Sequence, residues 1–278
     1  MIARLKFLIP LILFSFGLHA QNSLKEYSLI VDSLYSVFNE LGKPGCAIAI
    51  VKEGRVVYQK CFGLSDLEHQ IPITSSTLFG LASVSKQFTG FGIAKLVKDQ
   101  RLNLNFEIDK YLQNENSLWS SIQLRNLVHH TSGIWEWPYL FLATGHTFND
   151  VITHRNIYKI IKSQSEVNFL TGSEFQYGSS NYVLLGQIIS NVTDTCYFDW
   201  VKQNVFQQVG MSETTFQTSH SDLINNRAYG YLYENNKYSR TTDNISPQGT
   251  GSIYSNLTDL ISWTKHILSE YIKKNPII

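Results

Sequence analysis

The sequence predicts an α+β fold, an antiparallel sheet flanked by helices and joined to a mostly helical domain. Three observations predict it. An amphipathic helix near the start runs straight into two β segments around a tight turn. Residues 73–248 then alternate helical periodicity with loop signals, and a small-residue turn after them leads into a last helix. The 278 residues carry a formal net charge of +1, with 43% hydrophobic and 13% aromatic residues, a globular composition able to bury a large core. Such a near-neutral balance gives no electrostatic case for binding nucleic acid or an anionic membrane surface.

Residues 1–20 read as an export signal. Arg4 and Lys6 make a positive start, Phe7 to Leu18 is an almost unbroken apolar run, and Leu18-His19-Ala20 offers a small residue before a cut at Gln21. The run is shorter than the roughly 20 residues that a membrane span needs. With no cysteine beside the cut to take a lipid, the mature chain is expected to be exported, soluble and periplasmic.

Residues 21–72 form the first part of the α/β domain. Ser23-Leu24-Lys25-Glu26 is a capping box, and Leu24, Tyr27, Ile30, Val31, Leu34, Phe38 and Leu41 follow at helical spacing, giving an amphipathic helix over 24–41. Gly42-Lys43-Pro44-Gly45 breaks it. Cys46–Val51 and Arg55–Phe62 then read as a hairpin around Lys52-Glu53-Gly54. Two strands are marginal alone, so this sheet needs partners from elsewhere in the chain. A two-residue turn at Glu53-Gly54 puts Cys46 opposite Cys61. A cross-strand disulfide and two reduced, buried thiols are both open, because three cysteines at wide spacing are no disulfide framework.

Residues 73–248 are the mostly helical domain, organised around Phe79 to Gly92. Val84, Phe88, Phe91, Ile93, Ala94, Leu96 and Val97 cover most of a helix circumference, which predicts a central, buried helix. Gly90 and Gly92 each cost roughly 1 kcal/mol against alanine in a helix interior, so a closely packed neighbour is the expected reason for them. Ser83 stands at the start of this helix and Lys86 one turn on, at a spacing that puts both side chains on one face. A serine hydroxyl is a poor nucleophile until a base takes its proton. A lysine serves as that base only when burial brings its pKa well below the usual value of about 10.4. The bland alternative has Ser83 as an N-cap and Lys86 snorkelling to solvent.

Further along, Leu124–His129 and Asn156–Lys162 are short helices, Val183–Val192 belongs to an apolar one, and Phe198–Val209 is amphipathic and stopped at Gly210. Tyr229, Tyr231 and Tyr233 suggest an exposed aromatic loop or a short strand, and Trp135, Trp137 and Tyr139 either line a cleft or pack their loop. Residues 249–278 are the return segment: Gly249-Thr250-Gly251-Ser252 is a small-residue turn, and a helix spans about 258–272. No sheet-completing strand follows it before Ile278.

Several landmarks in series resemble the serine β-lactamase-like and penicillin-binding-protein-like superfamily, that is, class C β-lactamases, D-alanyl-D-alanine carboxypeptidases and related esterases. They are Phe62-Gly63-Leu64-Ser65-Asp66-Leu67, Thr77-Leu78-Phe79 with Ser83-Val84-Ser85-Lys86, His130-Thr131-Ser132-Gly133-Ile134, Val209-Gly210-Met211 with Thr214-Thr215-Phe216, Arg227-Ala228-Tyr229-Gly230-Tyr231, and Gly249-Thr250-Gly251-Ser252-Ile253. The resemblance implies the β-lactamase/transpeptidase-like fold and acyl-enzyme chemistry. By that likeness Ser83 is the acylated nucleophile and Lys86 its base partner. Tyr177 takes the place of the tyrosine in the family's Tyr-x-Asn motif, which relays the proton; the alternative for Tyr177 is a loop-packing aromatic. Ser179 stands where the family has the asparagine that holds the substrate amide, which leaves ester hydrolysis open. Asn181 lies two residues beyond that position.

The family's oxyanion hole pairs the nucleophile's own N–H with one from a late strand bearing a Lys/His-x-Gly motif. No such strand occurs in these residues, so the chain is expected to be the front part of a longer protein, with its C-terminal strands missing. The resemblance calls for no cofactor and no metal, and His129-His130 lacks the companion ligands of a metal site. The expected partner is a small-molecule or peptide substrate, cell-wall peptide included: a D-amino-acid peptide, a β-lactam or a small ester. The competing readings are a non-catalytic relative that binds cell-wall peptide or a partner protein, and an inactive truncated fragment.

Overall fold

The computed structural model describes residues 28–40, 42–113 and 115–273. The export signal read in residues 1–20 and the first turn of the N-terminal helix lie outside them. The chain divides into two compact units, 1–75 and 76–278.

In the first unit, residues 28–34 form helix α1. It is followed by a hairpin of β1 (Cys46–Lys52) and β2 (Arg55–Phe62). Asp32 of α1 accepts hydrogen bonds from the Tyr58 hydroxyl at 2.7 Å and from Lys60 Nζ at 2.8 Å, and these pin the helix to the hairpin. Glu53 and Gly54 both have positive φ (51° and 74°), the geometry of a tight two-residue turn. The register then shifts. Val51 faces Val56 but Ile50 faces Tyr58, so Val57 is an extra, bulged residue. Cys46 therefore lies opposite Phe62, not Cys61, and Cys61 lies opposite Ala47. A one-residue slip turns side chains to the other face. The two thiols are on opposite faces of the hairpin and both are free, which corrects the expected cross-strand register.

A second small hairpin joins β3 (Leu64–Asp66) to β4 (Ile71–Pro72). Here Asp66, Glu68 and His69 bring ligand atoms within 4.8 Å of one another. Both Asp66 oxygens are occupied by the Glu68 and His69 N–H groups and the His69 ring, so the cluster reads as a turn motif and not as a metal centre.

The second unit runs β5 (Phe79–Gly80), α2 (Lys86–Lys98), α3 (Leu124–Val128), α4 (Trp137–Ala143), β6 (Ile152–Thr153), α5 (His154–Lys162), α6 (Ser179–Thr193), α7 (Tyr197–Val201), β7 (Thr215–Phe216), β8 (Tyr231–Glu234), β9 (Lys237–Arg240), β10 (Ile245–Ser246), β11 (Ile253–Ser255) and α8 (Leu257–Ile272). The aromatic stretch around Tyr231 and Tyr233 is thus one strand of the β8–β9 hairpin. A three-stranded antiparallel sheet of order β5-β11-β7 leads the chain into α2. The core is built on α2 and α6, whose Phe88, Ile93, Leu96, Val183, Leu184, Leu185, Ile188 and Ile189 are buried with Trp200 of α7 and Trp263 of α8. Val84, read as part of the buried face, is exposed because it precedes α2 in a separate turn. Among the described residues no helix is long and apolar enough to cross a membrane.

The two glycines of α2 differ. A Cβ on Gly92 would meet the Trp200 ring at 2.9 Å and Ile189 at 3.3 Å, whereas on Gly90 its nearest neighbour is the Tyr182 hydroxyl at 3.8 Å. Close packing therefore explains Gly92 and leaves Gly90 unexplained. Gly90→Ala is expected to raise stability by about 0.5–1 kcal/mol through helix propensity. In Gly92→Ala, overpacking against a rigid indole outweighs that gain, with an expected loss of roughly 1–2 kcal/mol. Urea melts of the two variants check the opposite signs.

Candidate active site

Strand β5 carries the chain to Ser83. Leu81 N–H donates to the Ile253 carbonyl at 2.8 Å, tying the end of β5 to β11. Ala82 then adopts φ 44°, a left-handed conformation rare for alanine that costs about 1–2 kcal/mol. This sharp turn starts the short 3-10 segment Ala82–Ser85, leaving Ser83 exposed on it, and α2 begins at Lys86. Ser83 does not cap the helix. Its hydroxyl oxygen accepts a hydrogen bond from Lys86 Nζ at 3.1 Å. Lys86 does not snorkel either, being only 6% exposed. Its other two donors meet Ser179 Oγ at 3.2 Å and the Thr250 carbonyl at 3.4 Å. Lys86 Nζ thus faces three neutral oxygens.

Ser179 is the first residue of α6, which packs against α2. Tyr177, two residues earlier, is half-exposed and lays its ring over Lys86 Nζ, 5.0 Å from the ring centre. Its hydroxyl has no hydrogen-bond partner among the described residues. The structure thus joins Ser83, Lys86 and Ser179 by hydrogen bonds, and brings Tyr177 to them through its ring. Asn181 does not serve in place of the family's asparagine. Its side chain is buried, accepts from Ser132 Oγ at 2.5 Å, and directs its amide group to the Gly178 carbonyl and His130, both at 3.3 Å.

The His130-Thr131-Ser132-Gly133 turn holds this segment. The His130 carbonyl accepts from Gln176 N–H at 3.0 Å, that of Thr131 from Gly172 N–H at 2.8 Å, and that of Gly133 from Asn168 N–H at 2.7 Å. Gly133 has φ 78°, and a Cβ there would sit 2.1 Å from the Phe169 carbonyl oxygen, so only glycine fits. The His130 ring lies between Tyr177 (centres 4.7 Å apart) and Tyr182 (5.1 Å), and its Nδ1 accepts from Gly178 N–H at 3.1 Å. Burial, and then the Lys86 charge, hold its pKa below the usual histidine value. His130 is a positioning residue for Tyr177, a role that sequence alone did not assign.

The third wall comes from Gly249-Thr250-Gly251-Ser252. Gly249, at φ 83°, passes so close to α6 that a Cβ would lie 2.1 Å from the Tyr182 carbonyl oxygen and 3.2 Å from Gly186 Cα. From the other side Thr89 of α2 donates to the Gly249 carbonyl at 2.6 Å. These contacts bring the Thr250 carbonyl to Lys86. A cavity of about 330 Å³ opens beside Ser83, lined among others by Trp137, Ser179, Asp243, Ile245, Thr250 and Tyr254. Asp243 and Tyr254 were not legible as site residues, because no motif marks them. The Trp137 indole N–H is buried without an acceptor among the described residues.

The family model for Beta-lactamase matches residues 31–276, so the chain belongs to the β-lactamase family, within the serine β-lactamase and penicillin-binding-protein superfamily. Protein flp of Staphylococcus aureus (strain MW2) is 30% identical over 236 residues, covering 81% of this chain and 46% of flp. A penicillin-binding protein of Bacillus subtilis (strain 168) is 25% identical over 256 residues, 86% of this chain and 56% of its own length. The chain thus spans about half the length of the curated relatives it matches. The octameric penicillin-binding protein homologue from Pyrococcus abyssi superposes with a TM-score of 0.73 at 25% identity, over 92% of this chain and 57% of that one. The fold is β-lactamase/transpeptidase-like, as its landmarks implied.

Because the His130 pKa is lowered in the folded chain, the unfolded chain binds the proton more readily. His130 therefore contributes its full stability above the unfolded value of 6.5 and loses it as pH falls below that value. Burial lowers His154 in the same direction. The urea midpoint is expected to drop between pH 7.5 and 5.5, and His130→Asn should flatten that slope, leaving the His154 share.

Proposed function

We propose that this chain carries the acylating centre of an exported serine hydrolase. The observation that carries this reading is the 3.1 Å contact between an exposed Ser83 hydroxyl and a buried Lys86 that has no carboxylate within ion-pair distance among the described residues. Ser83 Oγ attacks the carbonyl carbon of the substrate while its proton passes to Lys86 in its amine form. Tyr177, laid against Lys86, delivers its proton to the leaving group and takes the one held by Lys86; water then attacks the acyl carbon, gives its proton to Lys86, and Ser83 Oγ leaves and takes that proton back. Hydrogen bonds of this kind are often long in an unliganded site and tighten with substrate, so the unpartnered Tyr177 hydroxyl remains available to it. The Ser83 N–H, at the start of a helical turn, is one donor for the oxyanion.

The substrate is an ester or an amide, with esters favoured. Ser179 is engaged by Lys86 and Asn181 by Ser132, Gly178 and His130, so the position that grips an amide in the family's motif has no free amide of its own here. Export is supported by the charge and apolar pattern of residues 1–20.

Ser83→Ala is expected to lower hydrolysis of p-nitrophenyl butyrate on the order of 10³-fold or more, and to abolish the acyl adduct seen by intact mass. Turnover or adduct that persists in Ser83→Ala overturns the reading, and ligand binding that survives without any wild-type adduct points to a non-catalytic relative. Ser179→Asn is expected to shift the ratio of β-lactam to ester turnover upward, measured with nitrocefin against the same ester.

A further inference from the structure

We infer that the cavity beside Ser83 takes an acyl group carrying an ammonium, so that the preferred substrates are aminoacyl esters and not acyl groups bearing a carboxylate. This rests on Ser83 being the nucleophile. Among the described residues lining that cavity, Asp243 is the only charged one. Its remaining walls are apolar or neutral, including Trp137, Ile245, Pro247 and Ile253. A carboxylate at this position attracts a cation and repels an anion.

The Asp243 carboxylate is held in place. Its Oδ2 accepts from the Tyr254 hydroxyl at 2.6 Å, and Tyr254 in turn accepts from the Arg227 guanidinium at 2.7 Å. Tyr254 is itself buried, and its ring packs against Gly80, where a Cβ would meet it at 3.3 Å. The second carboxylate oxygen has no partner among the described residues, and Asp243 is exposed. Arg227 lies behind Tyr254, is not among the cavity walls, and makes no ion pair with Asp243, so its charge orients the carboxylate without neutralising it by contact. Burial and the Asp243 contact both push the Tyr254 hydroxyl pKa upward, so it stays a donor.

The cavity receives the acyl side of the substrate and not the leaving group. Ser83 lines it but Tyr177, the proposed proton donor to the leaving group, does not. The departing alcohol thus goes toward Tyr177, and the part retained on Ser83 occupies the space beside Asp243.

Two fluorophosphonates of equal length test this, one ending in a primary amine and the other in a hydroxyl. Each labels by the same step: the Ser83 Oγ–P bond forms, the P–F bond breaks, fluoride leaves, and the serine proton passes to the Lys86 amine. Labelling rate constants of the purified chain are read by intact mass, with Ser83→Ala marking background. The amine probe is expected to label about three- to fivefold faster, a margin set by an exposed but oriented ion pair. The margin should shrink in 1 M salt, where the screening length falls to about 3 Å. Asp243→Asn, which keeps an acceptor for Tyr254, should bring the ratio to about one. The wild-type ratio and its salt dependence need no variant. Equal labelling by the two probes, or faster labelling by the hydroxyl probe, overturns the ammonium inference and leaves Ser83 as nucleophile. Labelling by neither overturns both.

Discussion

The second unit is arranged around one buried lysine nitrogen, that of Lys86. Lys86 has lost nearly all contact with water, and a polar group taken out of water is costly unless its hydrogen bonds are met. Each acceptor comes from a different part of the chain: Ser83 from the turn after β5, Ser179 from the start of α6, and Thr250 from the turn before β11. Satisfying Lys86 therefore fixes three segments against one another. The acceptors are neutral oxygens, not carboxylates, so the site holds its lysine without locking it into an ion pair.

The supporting architecture serves that meeting point. Thr89 on α2 and the close pass of Gly249 over α6 place the Thr250 carbonyl from two sides. The His130-Thr131-Ser132-Gly133 turn gathers the loop before α6 through a series of backbone bonds and seats Tyr177 on the His130 ring. At the N-terminus of α6, Ser180 N–H donates to the Glu136 carboxylate at 2.9 Å, and Ser180 Oγ bridges Trp135 and Trp137, so the loop after His130 is fastened to the same helix end. In this way a short polar motif positions an aromatic and a helix terminus at once.

One wall of the cavity has its own polar chain. Arg227, Tyr254 and Asp243 are linked in series, with the carboxylate at the open end. Lys86 meets this cavity through Ser83, Ser179 and Thr250, which line it and accept its hydrogen bonds.

Much of this was legible in the residues. The apolar run from Phe88 to Val97 made α2 a central helix, and its first turn then made Lys86 a lysine that needed a reason to be buried. The period of the hairpin runs gave β1 and β2, and the Gly210 stop ended the helical run from Tyr197 as read. Other features depended on distant contacts. Cys46 and Cys61 could not be placed, because the Val57 bulge that moves them apart arises from local strand geometry and carries no signal in composition. Gly90 and Gly92 look alike in the sequence and differ only in what lies across from them. Local chemistry and spacing determined the Ser83–Lys86 pair, the helix that carries it and the family to which it belongs. Only the tertiary structure decided that Lys86 meets Ser179 and Thr250, that Asn181 is occupied by Ser132 and His130, and that Asp243 lines the same cavity as Ser83, because those residues lie 49 to 164 positions apart, where no periodicity records a contact.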